Sequence, residues 1–231
     1  MSNKTLGVIG GMGPLATAYF FNKVVELTNA DCDQEHIPAV IINDVLVPDR
    51  TQYILDNSKP CPLPYLIADI KKLEACGADC IAIPCNTTHF FYDEMQKSTP
   101  LPIINILDAT LSAVCADGKK HRTALLATTG SIKSGIYSKA AERYTTDIYI
   151  PEKDICDTVT NMIYDYVKMG KKCNADIFYN VIDKVLEKGC DSVILGCTEL
   201  SVIYGQTGIR KDCIFDSTEL LAKACVKFCC E

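Results

Sequence analysis

Two short runs place a cysteine where an apolar segment turns polar: "AIPCNTTH" at residues 82–89 and "VILGCTEL" at residues 193–200. Aligned from Gly77 and Gly189, the surrounding segments match Gly to Gly, Asp79 to Asp191 and Cys85 to Cys197, all at one offset of 112 residues. A thiol at the exit of a buried strand, beside the N-terminus of the next helix, is favoured as thiolate and falls below its free pKa of about 8.5. Two such thiols on opposite sides of a carbon can remove a proton from one face and deliver another to the opposite face, inverting the centre. The same pair could form a disulfide redox couple, or simply pack beneath its loops. Asn86, Thr87, Thr88 and Thr198 add short polar side chains suited to a bound carboxylate.

Something must hold two such sites face to face. Strand-like runs ("TLGVI", "PAVIIN", "DCIAI", "TALLA", "DIYIP", "DSVIL", "CIFD") alternate along the chain with helix-like ones. The helical runs include "PLATAYFFNKVVELTN", "PYLIADIKKLEAC", "IKSGIYSKAAERY", "DICDTVTNMIYDYVKMG", "DIFYNVIDKVLEKG" and "STELLAKACVKF". Alternation at this length predicts an α/β protein with parallel sheets covered by helices. The echo between halves, which includes "GGMGP" after the first strand and "TTGS" after "TALLA", predicts two similar pseudo-symmetric lobes with the active site in the cleft between them. The first lobe is expected over 1–106 and the second over 107–212, with 213–231 returning to the first. A single larger sheet is the alternative.

Composition narrows the function. The chain has 231 residues, 48% hydrophobic and 23% charged, as a globular protein does. A net charge of −6 and the lack of a basic stripe argue against nucleic acid as a partner. No run approaches the about 18 apolar residues of a membrane span, and the opening segment is too short and glycine-rich for a signal sequence. A cytoplasmic enzyme is expected. Fourteen cysteines without a C-x-x-C pair fit neither a zinc site nor, in a chain with this much core, a disulfide scaffold. Most are expected to be small buried hydrophobes, and Cys229 and Cys230 to be incidental.

"GGMGPLAT", "VPDRT", "PCNTTH" and "GCTEL", in this order and spacing, resemble the aspartate racemase branch of the aspartate/glutamate racemase superfamily over nearly the whole chain. The resemblance implies a homodimeric amino-acid racemase that needs no cofactor, neither pyridoxal phosphate nor a metal. It makes Cys85 and Cys197 the catalytic bases, without saying which acts on which enantiomer. It sets Met12 and Gly13 against the substrate, with Asn86, Thr87 and Thr198 on its carboxylate. Glu199 would orient the site, and Arg50 and Lys168 would bind carboxylate groups. Thr129, in the echoed "TTGS" turn, joins the substrate-binding set. His89 either tunes Cys85 or merely starts a helix. Thr88 stands where many relatives have alanine, and "GCTE" with "GGMG" sets the chain apart from the glutamate racemases proper. The implied substrate is an acidic amino acid, aspartate before glutamate.

Other readings compete. Superfamily members with two cysteines include maleate isomerases. From another class, "GMGPLA" fits G-x-G-x-x-A after a strand, with Asp44 as the ribose-binding acid of a nucleotide-dependent redox enzyme, although Asp44 lies further on than the usual interval of about 20 residues. A catalytically silent amino-acid-binding protein on the same scaffold is the third.

Overall fold

The computed structural model describes residues 4–231. Eight strands follow in order: β1 (Leu6–Gly10), β2 (Ala39–Asn43), β3 (Cys80–Ala82), β4 (Ile103–Ile104), β5 (His121–Ala127), β6 (Thr146–Tyr149), β7 (Ser192–Gly196) and β8 (Ile214–Asp216). In the first half they alternate with helices α1 (Pro14–Leu27), α2 (Arg50–Leu55), α3 (Leu63–Ala75), α4 (Tyr92–Lys97) and α5 (Ile106–Val114). The second half carries α6 (Thr129–Ser134), α7 (Ile136–Ala141), α8 (Lys153–Asn161), α9 (Ala175–Glu187), α10 (Thr198–Thr207) and α11 (Ser217–Cys230).

The strands form two four-stranded parallel sheets with the same order, β2-β1-β3-β4 and β6-β5-β7-β8. This is the two-lobed α/β architecture expected from the sequence, rather than one larger sheet. β1 and β7 are buried at all five positions, the pattern of strands covered on both faces. In each sheet the order reverses between two central neighbours, β1 and β3 or β5 and β7. A crevice opens at such a switch point, beyond the carboxyl ends of the strands. Met12 follows β1, Cys85 follows β3, Thr128 follows β5 and Cys197 follows β7. The topology thus delivers both cysteines to equivalent crevices.

Local sequence explains most of the boundaries. Pro14 opens α1, where its missing N–H costs nothing. Asn105 accepts hydrogen bonds from the Leu107 and Asp108 N–H groups to start α5, and Asp216 does the same for α11 from Thr218 and Glu219. Two helices expected to be regular are interrupted or altered. Gly135, at φ +66°, separates α6 from α7, and Met162–Val167 continue α8 as a π-helical turn.

Segment 213–231 divides between the lobes. β8 pairs with β7 in the second sheet, whereas α11 packs against α1 and α5. One apolar cluster accordingly joins Leu6, Val8, Phe20 and Val24 to Leu125, Ile194, Leu221 and Cys225. The expectation that most cysteines are buried is corrected: six of the fourteen are. Cys229, expected to be incidental, is among the six, whereas Cys230 is exposed. Among the described residues, no helix is long and apolar enough to cross a membrane.

Candidate active site

Cys85 and Cys197 line one cavity between the lobes. Its volume of about 20 Å³ is room for about one water molecule, so a larger ligand has to widen it. Met12, Arg50, Asn86, Thr87, Lys168, Thr198 and Glu199 also reach the wall, so nine of the eleven residues singled out in the sequence meet there. Gly13 lines an adjoining, wider cleft of about 680 Å³, and a Cβ on it would stand 3.2 Å from Glu199 Oε1. Thr129 is half-buried, and it is the preceding Thr128 that faces the cavity.

The two cysteines differ in their surroundings. Cys197 is the N-cap residue of α10 and 6% exposed. Its Sγ donates to Glu199 Oε2 at 2.9 Å, and Lys168 Nζ lies 3.0 Å from the other carboxylate oxygen, Oε1. Burial and the Glu199 charge push this thiol well up; Lys168 and the Glu199 N–H oppose them and lose. The sequence expectation of a lowered thiol at the helix start is therefore reversed at Cys197. Burial pulls the Lys168 ammonium down, but Glu199 and the cysteines outweigh it, and its pKa is raised. Cys85 follows a short β3 and precedes a 3-10 turn over Thr87–Phe91 rather than an α-helix.

His89 acts on the Cys85 backbone. Its Nε2 accepts the Ile106 N–H at 3.3 Å, so the proton sits on Nδ1, which donates to the Cys85 carbonyl at 3.0 Å. Burial lowers its pKa to about 4, and the ring is neutral at pH 7. Asn86 is locked from across the cleft, accepting from Tyr137 Oη at 2.7 Å and donating to Ser217 Oγ at 3.0 Å. That leaves one amide N–H for a ligand. Thr87 Oγ1 meets Thr128 Oγ1 at 3.0 Å and Ser131 Oγ at 2.9 Å, a hydroxyl cluster that joins the lobes. Thr88 is fully buried and donates to Met12 Sδ at 3.4 Å, so it packs behind a residue of the cavity wall rather than facing the loop surface.

Arg50 is buried and tied to main-chain carbonyls: Nη1 to Val47 and Pro48, Nη2 to Met12 at 3.1 Å. Both terminal nitrogens donate to main-chain carbonyls, whereas the buried Nε has no protein partner. Thr128, Tyr164, Asp49 and Thr51 line the cavity without having been singled out. Tyr164 was legible: it lies one helical turn before Lys168, whose Nζ stands 5.7 Å from its ring centre. Asp44, the would-be ribose ligand, accepts the Leu46 N–H. Among the described residues, no group of three or more His, Cys, Asp or Glu is arranged to hold a metal ion.

Known proteins share this architecture. The chain is 34% identical to the aspartate racemase of Picrophilus torridus, with a TM-score of 0.83 over 98% of this chain and 94% of that one. An aspartate racemase homologue from Pyrococcus horikoshii has the same fold, with 24% identity, a TM-score of 0.77 and coverage of 99% and 100%. The broad specificity amino-acid racemase RacX of Bacillus subtilis is 27% identical over 227 residues, 96% of each chain. A sequence model of Asp/Glu/Hydantoin racemases matches residues 9–225, a span that holds both lobes and both cysteines, and the chain belongs to that family.

Proposed function

We propose that the protein interconverts the enantiomers of an acidic amino acid, aspartate first and glutamate second, by proton transfer between two thiols without a cofactor. The observation that carries this reading is the placement of Cys85 and Cys197 on one interlobe cavity, at matching strand exits of two sheets with the same order. The similarity to aspartate racemases favours aspartate as substrate.

Removing an α-proton beside a carboxylate drives more negative charge onto its oxygens. Groups aimed at that charge stabilise the transition state more than the ground state. In this reading Asn86, Thr198, Arg50 and Lys168, all on the cavity wall, supply those groups. The Cys197–Glu199 hydrogen bond keeps Cys197 protonated, so Cys197 enters as acid and Cys85 as base. Cys85 takes the α-proton as Cys197 delivers its own to the opposite face, and the opposite enantiomer is converted with the roles exchanged. A homodimer of cytoplasmic chains is the expected working form.

Proton NMR in D₂O with each enantiomer of aspartate and glutamate, without added cofactor, tests this. Loss of the α-proton signal together with appearance of the other enantiomer on a chiral column supports it. A folded, reduced sample that exchanges none of the four would sink it. Conversion of maleate to fumarate by that sample would point to the isomerase alternative instead.

A further inference from the structure

Three thiols outside the reaction cavity meet in the core. Cys80, the first residue of β3, and Cys229, in the last turn of α11, place their sulfurs 3.8 Å apart, and Cys225 lies one helical turn before Cys229 in the same apolar cluster. Racemisation by Cys85 and Cys197 uses none of them. We propose that Cys80 and Cys229 are a covalent modification site, a dithiol that small-molecule disulfides convert reversibly to an intramolecular disulfide.

The geometry favours this pair. α11 runs alongside β3 in the opposite sense. At its start Ser217 holds Asn86, beyond the exit of β3; twelve residues on, Cys229 meets the first residue of the strand. The helix therefore reaches from the exit of β3 back to its first residue. An S–S bond of about 2.05 Å needs the sulfurs to approach by less than about 2 Å. Cys225, although close, shares the helix of Cys229 and lies on its next turn, where the backbone holds the two apart. The site also favours attack by Cys229: the hydrogen bond with Cys80 lowers its pKa, burial opposes, and the Lys4 ammonium assists. Lys4 is tied to this turn, its Nζ donating to the Phe228 carbonyl at 2.9 Å and its N–H to that of Cys229 at 3.2 Å. The neighbouring Cys230 and Glu231 are exposed, so this turn is where reagent reaches the buried pair.

The exchange balances as two displacements. The Cys229 thiolate attacks one sulfur of the small disulfide and expels the other half as a thiolate, which takes a proton from solvent. Cys80 gives its proton to solvent and attacks the Cys229 sulfur of the mixed disulfide, expelling the second small thiolate. Two protein thiols are oxidised and one small disulfide is reduced to two thiols. The product pins the last helix, which follows the second sheet, to a strand of the first.

The test uses the whole protein with exposed Cys32, Cys76 and Cys230 changed to serine, equilibrated with oxidised and reduced glutathione in rising ratio. Remaining thiols are blocked with N-ethylmaleimide, and the digest is sequenced by mass spectrometry without reduction. The expected result is a Cys80–Cys229 cross-link formed before any other, removed by dithiothreitol, with a melting temperature several degrees higher in the oxidised form. The same mapping on the unaltered chain covers the case that the serine variants fold poorly. Blocked Cys80 and Cys229 at ratios where other cysteines are already oxidised, or a Cys229 link to Cys225, would overturn the proposal. Neither readout depends on racemase activity, so failure here leaves the functional reading standing, and the reverse.

Discussion

Cys197 and Glu199 are two residues apart on α10 and share a hydrogen bond of 2.9 Å, with Lys168 on the other side of the carboxylate. Glu199 therefore does two jobs: it favours the protonated form of the Cys197 sulfur and holds a cation on the cavity wall. Glu199→Gln removes the charge that pushes the thiol up. The expected outcome is faster alkylation of Cys197 by iodoacetamide at neutral pH, and an activity profile whose alkaline limb moves to lower pH. The rate should fall by about 10²-fold, because the acid is lost from the starting state. Unchanged alkylation of Cys197, followed by mass mapping, would remove Glu199 from this role.

Serine in place of either thiol should separate the half-reactions. Cys85→Ser and Cys197→Ser are each expected to lose racemisation by about 10²–10⁴-fold with folding nearly unchanged. Each should still wash deuterium into one enantiomer only, the one whose α-proton faces the remaining thiol. Chiral NMR on the four combinations checks this and assigns a sulfur to each hand. A serine variant racemising at the parent rate would refute the two-base reading.

His89 gives the fold an acid limit. Its pKa is about 4 in the folded chain against the ordinary 6.5, so between these values the unfolded chain binds more protons. Stability is then fully present above pH 6.5 and lost as pH falls toward 4, by roughly 3 kcal/mol. His89→Gln keeps a donor and an acceptor for Cys85 and Ile106 while removing the titration. The variant should be less stable at pH 7 by about 1–2 kcal/mol, yet lose less on going to pH 4. Urea titrations at both pH values measure the difference, and parallel losses would exclude His89 as the cause.

Gly130 packs closely against Thr51 beside the site. A Cβ there would stand 2.7 Å from Thr51 Oγ1 and 2.9 Å from its Cα, so the start of α6 would have to back away from α2. Gly130→Ala is expected to cost about 1–3 kcal/mol and to raise KM several-fold as the Thr87–Thr128–Ser131 cluster loosens. Thermal melts and steady-state kinetics test it, and an unchanged melting temperature would contradict the packing argument.

The parallel strands and both cysteines were legible because buried strands read as unbroken apolar runs, and because the two halves carry the same punctuation: glycine, aspartate, strand, cysteine. Hydrogen bonding was not legible. Nothing in "VPDRT" says that Arg50 spends its terminal nitrogens on carbonyls of Val47, Pro48 and Met12, because those partners come together only when α2 folds against the first turn. His89 was open between tuning Cys85 and starting a helix; its ring reaches the Cys85 carbonyl, a distinction only coordinates make. The π-helical turn before Lys168 was hidden because its residues keep helical spacing on both sides. Cys229 was misread because position near the end of a sequence says little about depth in a fold.

The placement of α11 has a bearing on how the molecule is made. On the ribosome, every strand of both sheets emerges before this helix does. Until it arrives, the surface it covers on α1 and α5 remains bare and apolar, and Asn86 lacks the serine that holds it. The first lobe is then a half-finished product that waits through the synthesis of the second, exposed to whatever binds sticky nascent chains. One late helix thus completes both the core shared by the lobes and the hydrogen bonding of Asn86 on the cavity wall.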